Sequence, residues 1–214
     1  MFKFLTIFMT VIIILGLVFG TIFVILMNSD SENINLSTIE YNKGYDEKLI
    51  NSIYSENEEV KRILSYIPEC ILYDFKDRGW TLNTWSNKDI FNYIGKKCIG
   101  FCDYKGLKIR IDEEQYIKTF VIWHEFGHYL YERLDLRNEF MSIYNSIDVE
   151  EFYDLFGAYY LSSDAEFFAE SFAYYIYNVY IIDNDNIITE PVFQYVDTVF
   201  NNCKNIKLLC FYAA

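Results

Sequence analysis

Basic residues are scarce in this sequence, which has 18 Lys and Arg against 31 Asp and Glu. The formal net charge of -13 argues against a nucleic-acid surface and against binding to acidic lipid headgroups, because phosphate partners require clustered Lys and Arg. Proline is also scarce, and the chain has no Pro-rich segment and no internal repeat. A length of 214 residues predicts one acidic globular domain once any targeting segment is set aside.

Cysteine shows no pattern that is typical of zinc ligation. The five residues are Cys70, Cys98, Cys102, Cys203 and Cys210. No two of them form a C-x-x-C pair, which argues against a thiolate zinc site. Residues 98 and 102 would lie about 13 Å apart in a strand unless Gly100 bends the chain. The sequence therefore assigns no disulfide, although an exported domain would permit disulfides.

Histidine occurs only twice, and both residues lie in one H-E-x-x-H motif formed by His124, Glu125 and His128. In an α-helix, side chains four positions apart lie about 40° apart around the axis and about 6 Å apart along it, so both imidazoles leave one face. Glu125 points about 100° away from His124, where it can reach a water held on a metal but cannot be a close third ligand. The spacing predicts a zinc site with Glu125 as the general base.

The helix around this motif is strongly apolar, which supports the same interpretation. Its apolar residues are Phe120, Val121, Trp123, Phe126, Tyr129 and Leu130. This pattern predicts a largely buried helix, in which an unpaired histidine pair is unfavourable and a bound cation removes the penalty. Gly127 destabilises a helix by about 1 kcal/mol, so it indicates that another backbone comes close to this one.

The third zinc ligand must come from elsewhere, since a catalytic zinc usually has three protein ligands and a water. A metzincin would have glycine and histidine at the positions of Tyr131 and Leu134, so that class is excluded. Glu166 and Glu170 lie four apart in a predicted helix with an apolar face. We expect Glu166 to bind zinc, as in a gluzincin-type site, and Glu170 to accept a hydrogen bond from a histidine ring. The alternative is a solvated acidic stripe at a helix edge.

The segment from Phe4 to Met27 contains 24 consecutive uncharged residues. At about 1.5 Å per residue, a helix of this length spans a hydrocarbon layer of roughly 30 Å. Lys3 precedes the segment and Asp30 and Glu32 follow it, so the positive-inside rule places the N-terminus in the cytoplasm and the rest outside. Residues 1–28 are predicted to be a membrane anchor with an extracellular catalytic domain. Cleavage of the segment as a signal peptide would secrete that domain instead.

The rest of the chain is predicted to be a polar tether over residues 29–56 and a globular domain over residues 57–214. The predicted elements before the histidines are a helix over 57–67, a strand over Cys70 to Phe75, an irregular stretch over 79–85 and a short helical turn over 88–94.

Two apolar runs, Ile99 to Cys102 and Leu107 to Ile111, flank a turn that contains glycine and predict a β-hairpin. In the second run, apolar residues alternate with Lys108 and Arg110, as in a half-exposed edge strand. Such an edge beside the metal helix would let a protein or peptide substrate add as an extra strand and lie across the zinc. The alternative is an ordinary hairpin without a docking role.

The order of these motifs resembles a known family. His124-Glu125-Phe126-Gly127-His128 is followed by Tyr159-Tyr160-Leu161 and then by Glu166-Phe167-Phe168-Ala169-Glu170-Ser171-Phe172. This series is similar to the zinc peptidases that include the catalytic domain of anthrax lethal factor and the exported Pro-Pro endopeptidases of clostridia. The resemblance extends over residues 95–201 and includes a final helix that begins at Pro191, with Phe193, Val196 and Phe200 on one side.

The resemblance implies zinc ligands His124, His128 and Glu166, with Glu125 as base and proton shuttle. It also implies that a tyrosine seven residues before the ligand Glu, here Tyr159, donates to the oxyanion of the tetrahedral intermediate, and the adjacent Tyr160 is the alternative. The large substrate-binding and cell-entry domains of lethal factor have no counterpart in this sequence, so delivery into a host cell is not implied. No residue matches the region that would set a proline preference.

These features predict an α+β, zincin-like domain behind an N-terminal transmembrane helix. We expect it to act with Zn²⁺ as an endopeptidase on exported or cell-surface proteins, because every group that this chemistry needs is in the sequence. One competing interpretation is a catalytically inactive zincin-fold module for binding or immunity. Another is a zinc hydrolase that acts on substrates other than peptides.

Overall fold

The structure of the protein is a computed structural model that describes residues 42, 44–113 and 120–205. The predicted anchor, Phe4 to Met27, lies outside these residues. Within them, no helix combines the length and the apolar character that a membrane span needs.

The first described helix, α1 (Glu47–Ile53), lies inside the predicted tether and corrects its boundary. Asp46 caps this helix by accepting a hydrogen bond from the Leu49 N–H at 3.0 Å. Leu49, Ile50 and Ile53 are buried, and α1 packs against the next two helices. The folded domain therefore begins before residue 57. The sequence pattern did not predict this helix, because its few apolar residues lie among polar ones.

The remaining elements make an α+β chain that is mostly helical. The helices are α2 (Glu58–Leu64), α3 (Glu69–Asp77), α4 (Asn87–Ile94), α5 (Val121–Arg133), α6 (Arg137–Tyr144), α7 (Tyr153–Phe156), α8 (Asp164–Ile176) and α9 (Pro191–Asn205). Short 3-10 segments cover Val149–Phe152 and Asp185–Thr189, and a π-helical segment covers Tyr177–Ile182. The strands are β1 (Thr81–Trp85), β2 (Gly100–Asp103) and β3 (Lys108–Asp112).

The three strands form one sheet in the order β1-β3-β2. β2 and β3 pair antiparallel, with Gly100 opposite Ile111, so the predicted hairpin is confirmed. β3 also pairs in parallel with β1, which makes it the central strand. The prediction that Leu107 to Ile111 is an edge strand is therefore wrong, because both sides of β3 are already paired.

Arg110 is a charged residue that is buried, which explains why the sequence pattern of β3 wrongly predicted a half-exposed edge strand. Its guanidinium carbon lies 3.6 Å from the centre of the Trp85 ring and 4.7 Å from that of Tyr93. Its Nη2 also lies 3.2 Å from Oδ2 of Asp103, and the residue is only 6% exposed. Aromatic rings and one carboxylate cover this charge. The alternation of charged and apolar residues therefore belongs to a strand that is covered on both faces of the sheet, not to a strand with one face in solvent.

Two further local predictions before the hairpin are wrong. Residues Cys70 to Phe75 belong to α3 and not to a strand, since Ile71, Leu72 and Phe75 are buried at helical spacing. The stretch over 79–85, predicted to be irregular, contains β1. This strand pairs with β3, which lies more than twenty positions later in the chain. The helix predicted over 57–67 is confirmed in a shorter form as α2, and the helical turn predicted over 88–94 is confirmed as α4.

The histidine helix α5 packs most extensively against α8, and the sheet lies on another side of it through β2 and β3. The close approach predicted at Gly127 is confirmed, because a Cβ there would lie 2.7 Å from the Cα of Ala169 in α8. The final helix α9 begins at Pro191 as predicted, and Phe193, Val196 and Phe200 are buried. Aromatic side chains fill the space between these helices: Phe126, Phe140, Phe167, Phe168, Phe172 and Phe200. The tight contact between α5 and α8 positions the candidate site.

Candidate metal centre and catalytic site

Two helices supply the residues of the site. α5 carries His124, Glu125 and His128 on consecutive turns, and α8 carries Glu166 and Glu170. α8 begins at Asp164, and its N-cap residue is Ser163. The backbone N–H of Glu166 donates to the Ser163 hydroxyl at 3.2 Å. A serine N-cap and acidic residues in the first turn both favour this helix start. The cap therefore fixes the position at which the Glu166 side chain leaves the helix.

Both imidazoles face the same carboxylate oxygen. Nε2 of His124 lies 3.3 Å from Oε2 of Glu166, and Nε2 of His128 lies 3.4 Å from the same oxygen. The two ring centres are 4.7 Å apart. One potential ligand atom from each of the three residues lies within 4.8 Å of the others, so this group could hold a metal ion. The structure thus brings together the three residues that the sequence predicts as ligands.

The position of Glu170 shows that a cation fits this group. Its Oε2 lies 2.9 Å from Nδ1 of His124, so in the neutral ring Nδ1 carries the proton and donates it to the carboxylate. Nε2 of His124 then presents a lone pair towards Oε2 of Glu166, which is buried and has no hydrogen-bond partner. Lone pairs that converge in a buried site are unfavourable without a proton or a metal between them. A bound cation would satisfy all of these atoms.

The pKa values of His124 and Glu166 in the cation-free site reflect the same arrangement. Burial lowers the pKa of His124, but the carboxylates of Glu166 and Glu170 outweigh it and raise the pKa to about 10. Burial raises the pKa of Glu166, yet the adjacent rings of His124 and His128 outweigh it and hold the pKa well below the usual range. A cation bound among these residues would therefore compete with the proton of His124.

Glu125 lies in the same cluster and is almost fully buried, with 3% of its surface exposed. Its Oε2 has no hydrogen-bond partner in the structure. Burial raises the pKa of this carboxyl group, and the nearby His124 and His128 oppose the shift. A buried carboxylate with a free oxygen beside two imidazoles is suited to take up and return a proton.

The strand β2 covers Glu125, and sequence reasoning did not identify this contact. A Cβ at Gly100 would lie 2.6 Å from Cγ2 of Val121 and 2.9 Å from Oε1 of Glu125. In the same strand, the Cys102 thiol donates to the backbone oxygen of Glu125 at 3.1 Å. A glycine inside a strand was the available signal, because it often marks a close approach of another chain segment.

The two candidate oxyanion donors occupy different environments. The Tyr159 hydroxyl donates to Oε1 of Glu166 at 3.2 Å, and the residue is 57% exposed. The ring of Tyr160 packs edge-on against the ring of His124, with 5.3 Å between centroids. Burial raises the pKa of Tyr159 to about 12 and also raises that of Tyr160, so both remain hydrogen-bond donors at neutral pH. The Tyr159 hydroxyl therefore contacts the carboxylate of the candidate metal-binding group, whereas the Tyr160 ring contacts one of its imidazoles.

No family model matches the chain, and neither a curated protein nor a solved structure is significantly similar to it.

Proposed function

We propose that the protein is a zinc-dependent endopeptidase with a zincin-like fold and a gluzincin-type site. The observation that carries this proposal is the convergence of His124, His128 and Glu166 on one point, with the carboxylate of Glu125 beside them. Two histidines, one carboxylate and an adjacent general base form the set of groups that zinc hydrolases use. The sequence resemblance to lethal factor-like peptidases supports the same reading.

Zn²⁺ bound at this position supplies a Lewis acid and lowers the pKa of a coordinated water to about 7. Glu125 has a free, buried carboxylate oxygen next to the metal-binding group, so it can take the proton from the attacking water. The same carboxyl group can then pass the proton to the leaving amine.

Two other side chains support this chemistry. Tyr159 would donate a hydrogen bond to the oxyanion that develops on the scissile carbonyl, and the contact of its hydroxyl with the carboxylate of Glu166 supports this role. Glu170 accepts a hydrogen bond from Nδ1 of His124, and this contact turns Nε2 of the same ring towards the metal position. Tyr159 therefore contributes to stabilisation of the reaction intermediate, whereas Glu170 is a positioning residue.

The sheet suggests how an extended substrate binds. β2, rather than Leu107 to Ile111, is the strand next to Glu125, and within the described residues it pairs with β3 on one side only. A peptide that adds to its free edge would lie beside Glu125 and across the metal position. The acidic chain favours encounter with neutral or basic segments. With the predicted anchor at Phe4 to Met27, the substrates would be exported or cell-surface proteins.

Comparison of the wild-type protein with Glu125→Gln tests the proposal. We expect both to bind one zinc per chain, because Glu125 is not a ligand. We expect cleavage of a mixed peptide library to fall by about 10² to 10⁴ in the variant, which lacks the general base. Glu132→Gln is the matched control, since this glutamate lies on the same helix with half of its side chain exposed.

Equal cleavage by the wild type and Glu125→Gln would contradict catalysis at this site. Zinc binding without cleavage of any peptide by either protein would favour the catalytically inactive binding or immunity module. Cleavage of ester or lipid substrates alone would favour a zinc hydrolase of another class.

A further inference from the structure

Two cysteines from distant parts of the sequence lie side by side between α3 and α9. Cys70 is in the first turn of α3, and Cys203 is near the end of α9. Sγ of Cys70 contacts the backbone oxygen of Cys203. Cys102, by contrast, donates its thiol hydrogen to the backbone oxygen of Glu125. Among the described cysteines, the structure therefore brings one pair together.

We propose that Cys70 and Cys203 form a disulfide that fastens the final helix to α3. The oxidant is an external disulfide, either a small molecule or a protein. The Cys70 thiolate attacks one sulfur of this oxidant, forms a mixed disulfide and releases the first thiol. The Cys203 thiolate then attacks Sγ of Cys70 and releases the second thiol. Two thiols of the protein become one S–S bond, and their protons and two electrons pass to the reduced oxidant.

The exposure of the two thiols fits this order of events. Cys70 is half-buried and accessible to an oxidant, whereas Cys203 is 1% exposed and is shielded from direct attack. The neighbouring Cys203 thiol lowers the pKa of the Cys70 thiol, burial opposes this shift, and the backbone N–H of Ile71 at the helix start adds to the lowering. Cys70 is therefore the thiol that reacts first.

The cross-link would act on the part of the fold that holds the candidate metal centre. It would close a loop of roughly 130 residues, which stabilises mainly by restricting the unfolded chain. This loop includes both α5 and α8, and α9 packs directly on α8. Disulfides persist in exported proteins because the cell exterior is oxidising, and the predicted N-terminal segment would send this domain there. The inference does not depend on peptidase activity.

Peptide mapping of the full-length protein after treatment with oxidised glutathione tests the proposal. Under non-reducing conditions we expect one linked product that joins the peptides containing Cys70 and Cys203. Reduction of the oxidised protein should lower its melting temperature by about 5 to 15 °C, as expected for the loss of a long-range disulfide in a domain of this size.

Cys70→Ala and Cys203→Ala should each abolish the linked product and make the melting temperature insensitive to reduction. Cys210→Ala is the control for the loss of one thiol, and it should keep both the linked product and the response to reduction. Links that join only other cysteines, or no link at all after oxidation, would overturn the proposal. A melting temperature unchanged by reduction would also overturn it.

Discussion

Nδ1 of His124 lies 2.9 Å from Oε2 of Glu170, although the two residues are 46 positions apart in the sequence. This contact assigns the proton of the neutral ring to Nδ1 and turns Nε2 towards Glu166 and His128. A histidine that binds a metal almost always donates its other ring N–H to such a partner. Glu170 therefore links the geometry of α8 to the basicity of His124, a candidate metal ligand on α5.

Glu170→Gln should weaken zinc binding by about 10- to 100-fold, in line with the usual effect of removing the partner of a histidine ligand. The amide oxygen can still accept the hydrogen bond from Nδ1, so the loss reports the missing negative charge. Competition with a chromophoric chelator measures the affinity. Glu132→Gln, the exposed control on α5, should bind zinc as the wild type does, and equal affinity for Glu170→Gln would contradict this role.

Zinc binding should strengthen as the pH rises between about 6.5 and 10, because the cation replaces the proton of His124. In the cation-free protein the pKa of this histidine is raised to about 10. Its charged form therefore stabilises the fold below about pH 6.5, and this contribution to stability is lost as the pH rises through about 10. Calorimetric titration in buffers of different ionisation enthalpy measures the released proton. An affinity that stays constant from pH 6.5 to 8.5 would contradict the assignment.

Tyr159→Phe should lower kcat by about 10² to 10³ and leave zinc stoichiometry unchanged, since one oxyanion donor is lost while every ligand remains. Tyr160→Phe is the matched comparison, because the ring that packs on His124 is kept. It should retain a kcat close to that of the wild type. Steady-state kinetics on one cleaved peptide separates the two, and the reverse result would make Tyr160 the donor.

Gly127→Ala should destabilise the metal-free protein by about 1 to 3 kcal/mol. The added Cβ would lie 2.7 Å from the Cα and 3.0 Å from the backbone oxygen of Ala169, so α5 and α8 must move apart. Helix propensity alone predicts the opposite sign, a gain of about 1 kcal/mol. Urea denaturation measures the change, and a variant more stable than the wild type would show that the close approach is unimportant.

The site could be anticipated from the sequence because its decisive pattern is local. Helical spacing alone places His124 and His128 on one face, and it places Glu166 and Glu170 on one face of a later helix. The structure brings these two faces together through the contact of Gly127 with Ala169. Whether the residues bind zinc and cleave peptides stays a prediction.

The parts of the fold that could not be anticipated depend on long-range contacts. β1 contains one buried apolar residue, Leu82, and becomes a strand because it pairs with β3. The short apolar run of α3 is compatible with either a helix or a strand until its neighbours are known. Gly100 signals a close approach in the sequence, but only the structure identifies Val121 and Glu125 as the residues that approach it. Such information lies in tertiary packing, not in local periodicity.

The most direct test of the account is an anomalous difference map, recorded at the zinc absorption edge, from crystals of the zinc-loaded protein. We predict one peak between Nε2 of His124, Nε2 of His128 and a carboxylate oxygen of Glu166, at about 2.0 to 2.2 Å from each. A map without a peak at this position, or a zinc ion whose ligands do not include Glu166, would contradict the account.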